Sequence, residues 1–246
     1  MKAAALTAVG LVREHNEDMV YCTIDPIGLL PNLFIVADGM GGHNAGEVAS
    51  QKSVESFCDY IKGLPSCDSQ KHTAILDNLT AATLHANRSV FALSISNMAY
   101  MGMGTTFSAC CVAGSWLILS HVGDSRIYTV CPQGITQIST DHTYVNELIQ
   151  AGSITPQEAR VHPKRNQLTN VVGCSPEIET DGVLHDISNA TSVLLCSDGL
   201  TDMLTDEDIF EIITSSGTPQ MRGQSLIDAA NANGGVDNIS VIIIDL

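Results

Sequence analysis

Leu33-Phe34-Ile35-Val36-Ala37-Asp38-Gly39-Met40-Gly41-Gly42 joins a short apolar run to a carboxylate and a cluster of glycines. A run of this length, rich in β-branched and aromatic residues and closed by turn residues, predicts a strand over 33–37. Asp38 then stands where that strand meets a turn. The pattern recurs four times. Glu17-Asp18 precedes the apolar segment 19–24, and Asp124 follows the run from Leu117 to Gly123. Asp198 follows Val193-Leu194-Leu195-Cys196-Ser197, and Asp237 precedes Ile239 to Ile244. Carboxylates at the rims of buried strands are held rigidly at the edge of a core. Gathered without cations they repel one another, and their pKa values rise. Magnesium and manganese both prefer oxygen ligands and remove that cost. Taken singly, Asp-Gly is a common hairpin turn. The further copy at Asp181-Gly182 is read as a turn only.

The surrounding chain has an α+β pattern. Strands are predicted at 3–12 and 19–24. Asn44-Ala45-Gly46-Glu47 fits a capping box opening a helix to about residue 61. A second helix covers 72–96, with Ile75, Leu79, Ala82, Ala86, Val90 and Phe91 at helical spacing. Strands follow at 105–113, 116–122, 126–130 and 135–138, broken at Gly114-Ser115, Gly123-Asp124 and Pro132-Gln133-Gly134. Connections this short predict antiparallel pairing. Helices are predicted at 142–151 and 156–161, the second announced by Thr155-Pro156-Gln157-Glu158. Strands return at 179–187 and 191–197. A helix from Thr205-Asp206-Glu207-Asp208 to about 214, a helix over 219–232 and a strand over 239–245 complete the order. Residues 1–246 read as one domain.

The chain has 246 residues, with 27 Asp and Glu against 11 Lys and Arg, for a formal charge of -16. That balance excludes nonspecific nucleic-acid binding, which needs a basic face, and docking on an anionic membrane. No apolar run approaches the ~18 residues of a membrane span. The start of the chain is better explained as a first strand than as a signal peptide. Eight cysteines include the adjacent pair Cys110-Cys111, which in a strand point to opposite faces, and no Cys-x-x-Cys. Reduced thiols and a cytoplasmic location are expected. His121, inside a strand, reads as a core residue.

Six segments stand in order: Arg13-Glu14-His15-Asn16-Glu17-Asp18, Val36-Ala37-Asp38-Gly39-Met40-Gly41-Gly42, Gly104-Thr105-Thr106, Gly123-Asp124-Ser125-Arg126, Ser197-Asp198-Gly199-Leu200 and Gly235-Val236-Asp237-Asn238-Ile239. In order and spacing the sequence resembles the metal-dependent type-2C (PPM) protein serine/threonine phosphatases, in their compact bacterial form, over almost the whole chain. The resemblance implies a four-layer αββα sandwich, two stacked antiparallel sheets flanked by helices, with two Mn2+ or Mg2+ ions at one edge. Asp38 would bridge the ions, the Gly39 carbonyl would bind one of them, and Asp198 and Asp237 would hold the other. Glu17 and Asp18 would act largely through waters, and Asp124 with Asp198 matches a weaker third metal position. Glycines at 39, 41 and 42 let the backbone turn sharply and offer a carbonyl. The implied reaction is hydrolysis of phosphoserine and phosphothreonine in proteins by in-line attack of a water activated between the ions. Arg13 would clamp the phosphate with its guanidinium fork. The implied partners are phosphoproteins, including a bacterial Ser/Thr kinase, and the implied state is a monomer.

The sequence departs from the family at two points. Met40 stands where some relatives carry a His proposed as the leaving-group acid, and it has no proton to give. His43, nearby, reads as a residue bordering the helix cap. Residues 141–173 resemble the family's mobile flap, with Asn170 where bacterial relatives often carry a basic residue. Lys164 and Arg165 fit either substrate contacts or a solvated loop. An alternative is a non-catalytic phosphoprotein-binding module retaining the fold. Such a relic should have lost a metal carboxylate, and none is lost. A nucleotide-binding turn at 36–43 does not fit, because its glycines do not match Gly-x-Gly-x-x-Gly.

Overall fold

The computed structural model describes residues 1–41, 45–64 and 71–246. The strands are β1 (Lys2–Ala8), β2 (Asp18–Thr23), β3 (Leu33–Met40), β4 (Gly104–Thr105), β5 (Phe107–Ala113), β6 (Trp116–Val122), β7 (Arg126–Cys131), β8 (Gly134–Gln137), β9 (Asp181–Asp186), β10 (Ser192–Cys196) and β11 (Ile239–Asp245). The helices are α1 (Ala45–Gly63), α2 (His72–Ser96), α3 (Tyr144–Gln150), α4 (Pro156–Arg160), α5 (Asp198–Thr201), α6 (Asp206–Thr214) and α7 (Pro219–Ala232). One sheet runs β1-β11-β10-β7-β8 and the other β2-β3-β5-β6-β9, with β4 beside β3. Every ladder is antiparallel.

The layering follows from the two-residue period of a strand, which sends neighbouring side chains to opposite faces. Phe34 and Val36 of β3 join Cys110, Leu117, Leu119, Val193, Leu195, Ile242 and Ile244 between the sheets. Leu33, Ile35 and Ala37 turn the other way, onto Phe57 and Ile61 of α1 and Leu79 and Ala86 of α2. In the other sheet Leu194, Cys196, Val241 and Ile243 meet Ile209, Ile213, Leu226 and Ile227 on α6 and α7. Three apolar layers between four structural layers make the αββα sandwich. Each fully buried Val, Leu, Ile or Phe contributes roughly 1.5–3 kcal/mol, so strands covered on both faces hold the site edge most firmly. Cys110 lies between the sheets and Cys111 under the helices, as their adjacency predicts. All seven described cysteines are free. Among the described residues no helix is long and apolar enough to cross a membrane.

Four local expectations change. β3 continues to Met40, so Asp38 lies within a strand rather than after one, directly opposite Asp18 of β2. The apolar run at 105–113 is split at Thr106, which leaves the ladder to bond Asp38: the Asp38 N–H donates to Thr106 Oγ1 (2.9 Å), and the Thr106 N–H donates to the Asp38 carbonyl (2.8 Å). Gly123-Asp124 closes no hairpin. β6 pairs with β5 and β9, β7 pairs with β10 and β8, and the short link crosses from one sheet to the other. Gly123, at φ +105°, permits that crossing. Asp181-Gly182 is not a turn but the start of β9. Gly182 sits against α2, where an added Cβ would lie 3.2 Å from both Leu76 Cδ1 and Thr80 Oγ1, so the glycine serves close helix–sheet approach. The predicted cap at Asn44 and the neighbouring Gly42 and His43 lie outside the described residues.

Candidate metal centre

All the acidic positions singled out from the sequence meet at one edge of the two sheets. Asp18 and Asp38 face each other across β2 and β3. Asp198 follows β10, Asp237 precedes β11, and Asp124 sits on the crossing between β6 and β7. Gly39 pairs with Thr105 at the end of β3. Arg13 reaches in from the β1–β2 link, and its Nη2 lies 2.6 Å from Asp237 Oδ2. Arg13, Glu17, Asp38, Gly39, Asp124, Asp198 and Asp237 line a cleft of about 770 Å3, with Asp18 buried behind them. Its opposite wall includes Asn166 to Val171, Cys174, Glu177 and Ile178.

Backbone and side-chain bonds fix the carboxylates. Asn238 is the hub: its Oδ1 accepts from the Glu17 N–H (2.8 Å), and its Nδ2 donates to the carbonyls of Val9 and His15 (2.9 Å each). Ser197 donates to Asp18 Oδ2 (2.8 Å), tying β10 to β2. Ser50 of α1 donates to the Glu17 carbonyl (2.6 Å). A Cβ on Gly46 would come within 2.8 Å of the Glu17 carboxylate, so the first turn of α1 presses on the site only because that residue is glycine. Arg126 grips Asp141 with Nε and Nη2 (2.7–3.1 Å) and donates to the Tyr128 hydroxyl (3.2 Å). Nothing in the sequence alone gives Asn238 or Arg126 a role. Their partners lie far away in sequence, and only the fold supplies them.

The electrostatics are those of like charges forced together. Burial, then Asp18, Asp198 and Asp124, push the Asp38 carboxyl well above its usual range. Burial, then Asp124, Asp202 and Asp237, do the same to Asp198. Burial raises Asp18 to about 6, against the opposing hydrogen bonds of Ser240 and Ser197. Burial and Asp141 raise Asp124 to about 7 although Arg126 opposes them. Burial also raises Glu17. Burial would lower the Arg13 pKa, but Asp237, backed by Asp38 and Glu17, outweighs it and raises it.

Two buried oxygens, Asp18 Oδ1 and Asp198 Oδ1, have no hydrogen-bond partner. An unpaired buried acceptor is costly, and between ionised carboxylates only a shared proton or a cation can serve both sides. Among the described residues no three His, Cys, Asp or Glu side chains close on one point as a finished ligand sphere. That is no obstacle to a hard dication, which keeps several waters and is held through one or two carboxylates at a time. The donor set therefore fits oxygen-bound magnesium or manganese: all its side chains are carboxylates, two of their oxygens are unpartnered, and a glycine carbonyl stands beside them.

Fold and site together define an αββα protein whose sheet edge gathers carboxylates, a donor set suited to dications, beside an arginine. The chain belongs to the protein phosphatase 2C family, whose model matches residues 13–230. It is 34% identical over 250 residues to protein phosphatase PhpP of Streptococcus pneumoniae, covering 100% of this chain and 98% of that one. The crystal structure of serine/threonine phosphatase Stp1 from Staphylococcus aureus superposes with a TM-score of 0.91 at 32% identity, covering 100% of this chain and 94% of its own. The catalytic domain of serine/threonine protein phosphatase PstP in complex with two manganese ions superposes with a TM-score of 0.83 at 35% identity, covering 99% and 97%.

Proposed function

We propose that the protein is a metal-dependent protein serine/threonine phosphatase acting on phosphoserine and phosphothreonine. One observation carries the reading: Glu17, Asp38, Asp124, Asp198, Asp237 and Arg13 line one cleft, Asp18 is buried beside them, and Asp18 Oδ1 and Asp198 Oδ1 have no hydrogen-bond partner. Bound at that edge, two manganese or magnesium ions would supply an activated water for in-line attack on phosphorus and would neutralise charge on the phosphoryl oxygens. Asp38, the Gly39 carbonyl, Asp198 and Asp237 would hold the two ions. Glu17 and Asp18 would orient coordinated waters, and Asp124 with Asp198 would take a weaker third ion.

Arg13 has the donor geometry to leave Asp237 and fork onto two phosphate oxygens. Asp237, as a residue that would hold an ion, would then release Arg13 for the phosphate. Met40 cannot protonate the leaving alkoxide, so that proton would come from a coordinated water or from solvent. Residues 141–173 would act as a flap on the one catalytic domain, with Asn166 to Val171 lining the cleft, and Asn170 offers it an amide rather than a charge. Phosphoproteins, including a bacterial Ser/Thr kinase, are the proposed partners of a monomeric, cytoplasmic enzyme.

Manganese-dependent hydrolysis of a phosphothreonine peptide, abolished by EDTA and by Asp38→Ala, is the expected result. No turnover with manganese or magnesium overturns the reading.

A further inference from the structure

His142 stands at the head of the wall segment, and all four of its polar atoms are engaged. Its N–H donates to the Gly123 carbonyl (2.8 Å), and its carbonyl accepts from the Thr169 N–H (2.9 Å). Its Nδ1 accepts from the Gly123 N–H (3.1 Å), with Asn170 Nδ2 at 3.3 Å. Its Nε2 lies 3.2 Å from Asp181 Oδ2. One residue thus holds both backbone groups of Gly123, and the same residue holds the chain at Thr169 and Asn170, which line the cleft.

The anchor point is rigid. Gly123 has φ +105°, and a Cβ there would lie 2.7 Å from Thr106 Cβ. His121 braces the same carbonyl, with Nε2 3.0 Å from Gly123 O and 3.1 Å from Thr140 O, while Nδ1 meets the Ser108 hydroxyl at 2.8 Å. Burial, reinforced by His142, pushes His121 down to about 4, so its ring stays neutral and keeps that orientation. Asp181 stands opposite His121 in the β6–β9 ladder.

We propose that His142 is a positioning residue that locks the cleft wall at Thr169–Asn170 to the Gly123–Asp124 crossing, so that the substrate wall and the Asp124 carboxylate share one mount. The tautomer is fixed by the bonds. Nδ1 must be bare to accept from Gly123, so the proton sits on Nε2, where Asp181 holds it. Asp181 is absent from the cleft lining, so its effect on the site passes through His142. The lock itself is structural, while its catalytic consequence rests on the phosphatase reading.

Isosteres separate the two ring nitrogens. An Asn amide oxygen falls near the position of Nδ1, and a Gln amide near that of Nε2. In full-length protein, His142→Asn should keep the Gly123 bond and His142→Gln should lose it. Losing one such bond is worth roughly tenfold. Gly123 amide exchange should therefore quicken about tenfold in His142→Gln and in Asp181→Ala, and remain near wild type in His142→Asn and Asp181→Asn. With a phosphothreonine peptide, KM should rise by a similar factor in His142→Gln, with a smaller change in kcat, and stay near wild type in His142→Asn. Equal behaviour of the Asn and Gln variants in Gly123 exchange, or a peptide KM unchanged in both, overturns the lock. A wild-type protein without turnover would sink the phosphatase reading alone, because amide exchange still decides the lock.

Discussion

At Asp38 one carboxylate is bonded through its backbone on both sides and crowded by three others. The strain lies in its charge, not its geometry. Replacing it by the neutral isostere should remove the repulsion and the ion bridge together. Asp38→Asn is expected to raise the melting temperature in EDTA at pH 8 while abolishing phosphopeptide hydrolysis. A lower melting temperature would mean that the carboxylate is not under charge strain. Arg13 is the opposite case, a half-exposed cation whose present partner is Asp237. Arg13→Ala should cost roughly 10–100-fold in kcat/KM for phosphopeptide, since charge-assisted bonds to phosphate are worth about 1.5–3 kcal/mol, and fold stability should change little. An unchanged kcat/KM would remove Arg13 from the reaction. The carboxylates were legible because each borders an apolar run in a single stretch of sequence. Asn238 was not, because what it does is bind Glu17, Val9 and His15 from the far end of the chain.

At the scale of elements, the long helix at 72–96, the strand at 116–122 and the helix at 219–232 have the limits read from periodicity and caps. Thr155 forms the capping box its spacing announces, and Thr205, where a helix is expected to open, forms one with Asp208. The pairing partner of a strand was less legible. A two-residue break looks the same in sequence whether the chain folds back on itself or passes to another sheet. At Gly114-Ser115 it is a hairpin, with Ala113 opposite Trp116. At Gly123-Asp124 it is a crossing, and the difference lies in what packs on each side of the next strand. The consequence can be measured. Gly123→Ala meets both a left-handed backbone and Thr106, so it should destabilise the protein by about 2 kcal/mol or more in urea unfolding. It should also weaken manganese activation by displacing Asp124. A loss below about 0.5 kcal/mol would show that the crossing can relax.

Across the whole molecule, the charge of -16 is mostly solvated surface, since two bound dications would offset only about four units. The minority at the cleft sets the pH response. Asp18, Asp38, Asp124 and Asp198 have folded pKa values raised from 3.8, to about 6 and about 7 where Asp18 and Asp124 are concerned. Between about pH 4 and 7 the folded state therefore holds more protons than the unfolded chain, and their contribution to stability falls as pH rises. His121, lowered to about 4, works in the other direction between about pH 4 and 6.5, but it is one group against four. In EDTA the melting temperature should be higher near pH 5 than at pH 8, and manganese should restore most of the difference at pH 8. Equal values at both pH values without metal would contradict the charge strain at the edge. The order of strands in the first sheet also has a meaning in time. β11 lies between β1 and β10, yet a ribosome makes it after both. Until residues 239–245 emerge, β1 and β10 each present an open edge, the most aggregation-prone feature a nascent sheet can have. Asp237 arrives with that same strand, so a growing chain cannot assemble the full ring of carboxylates before its framework is shut.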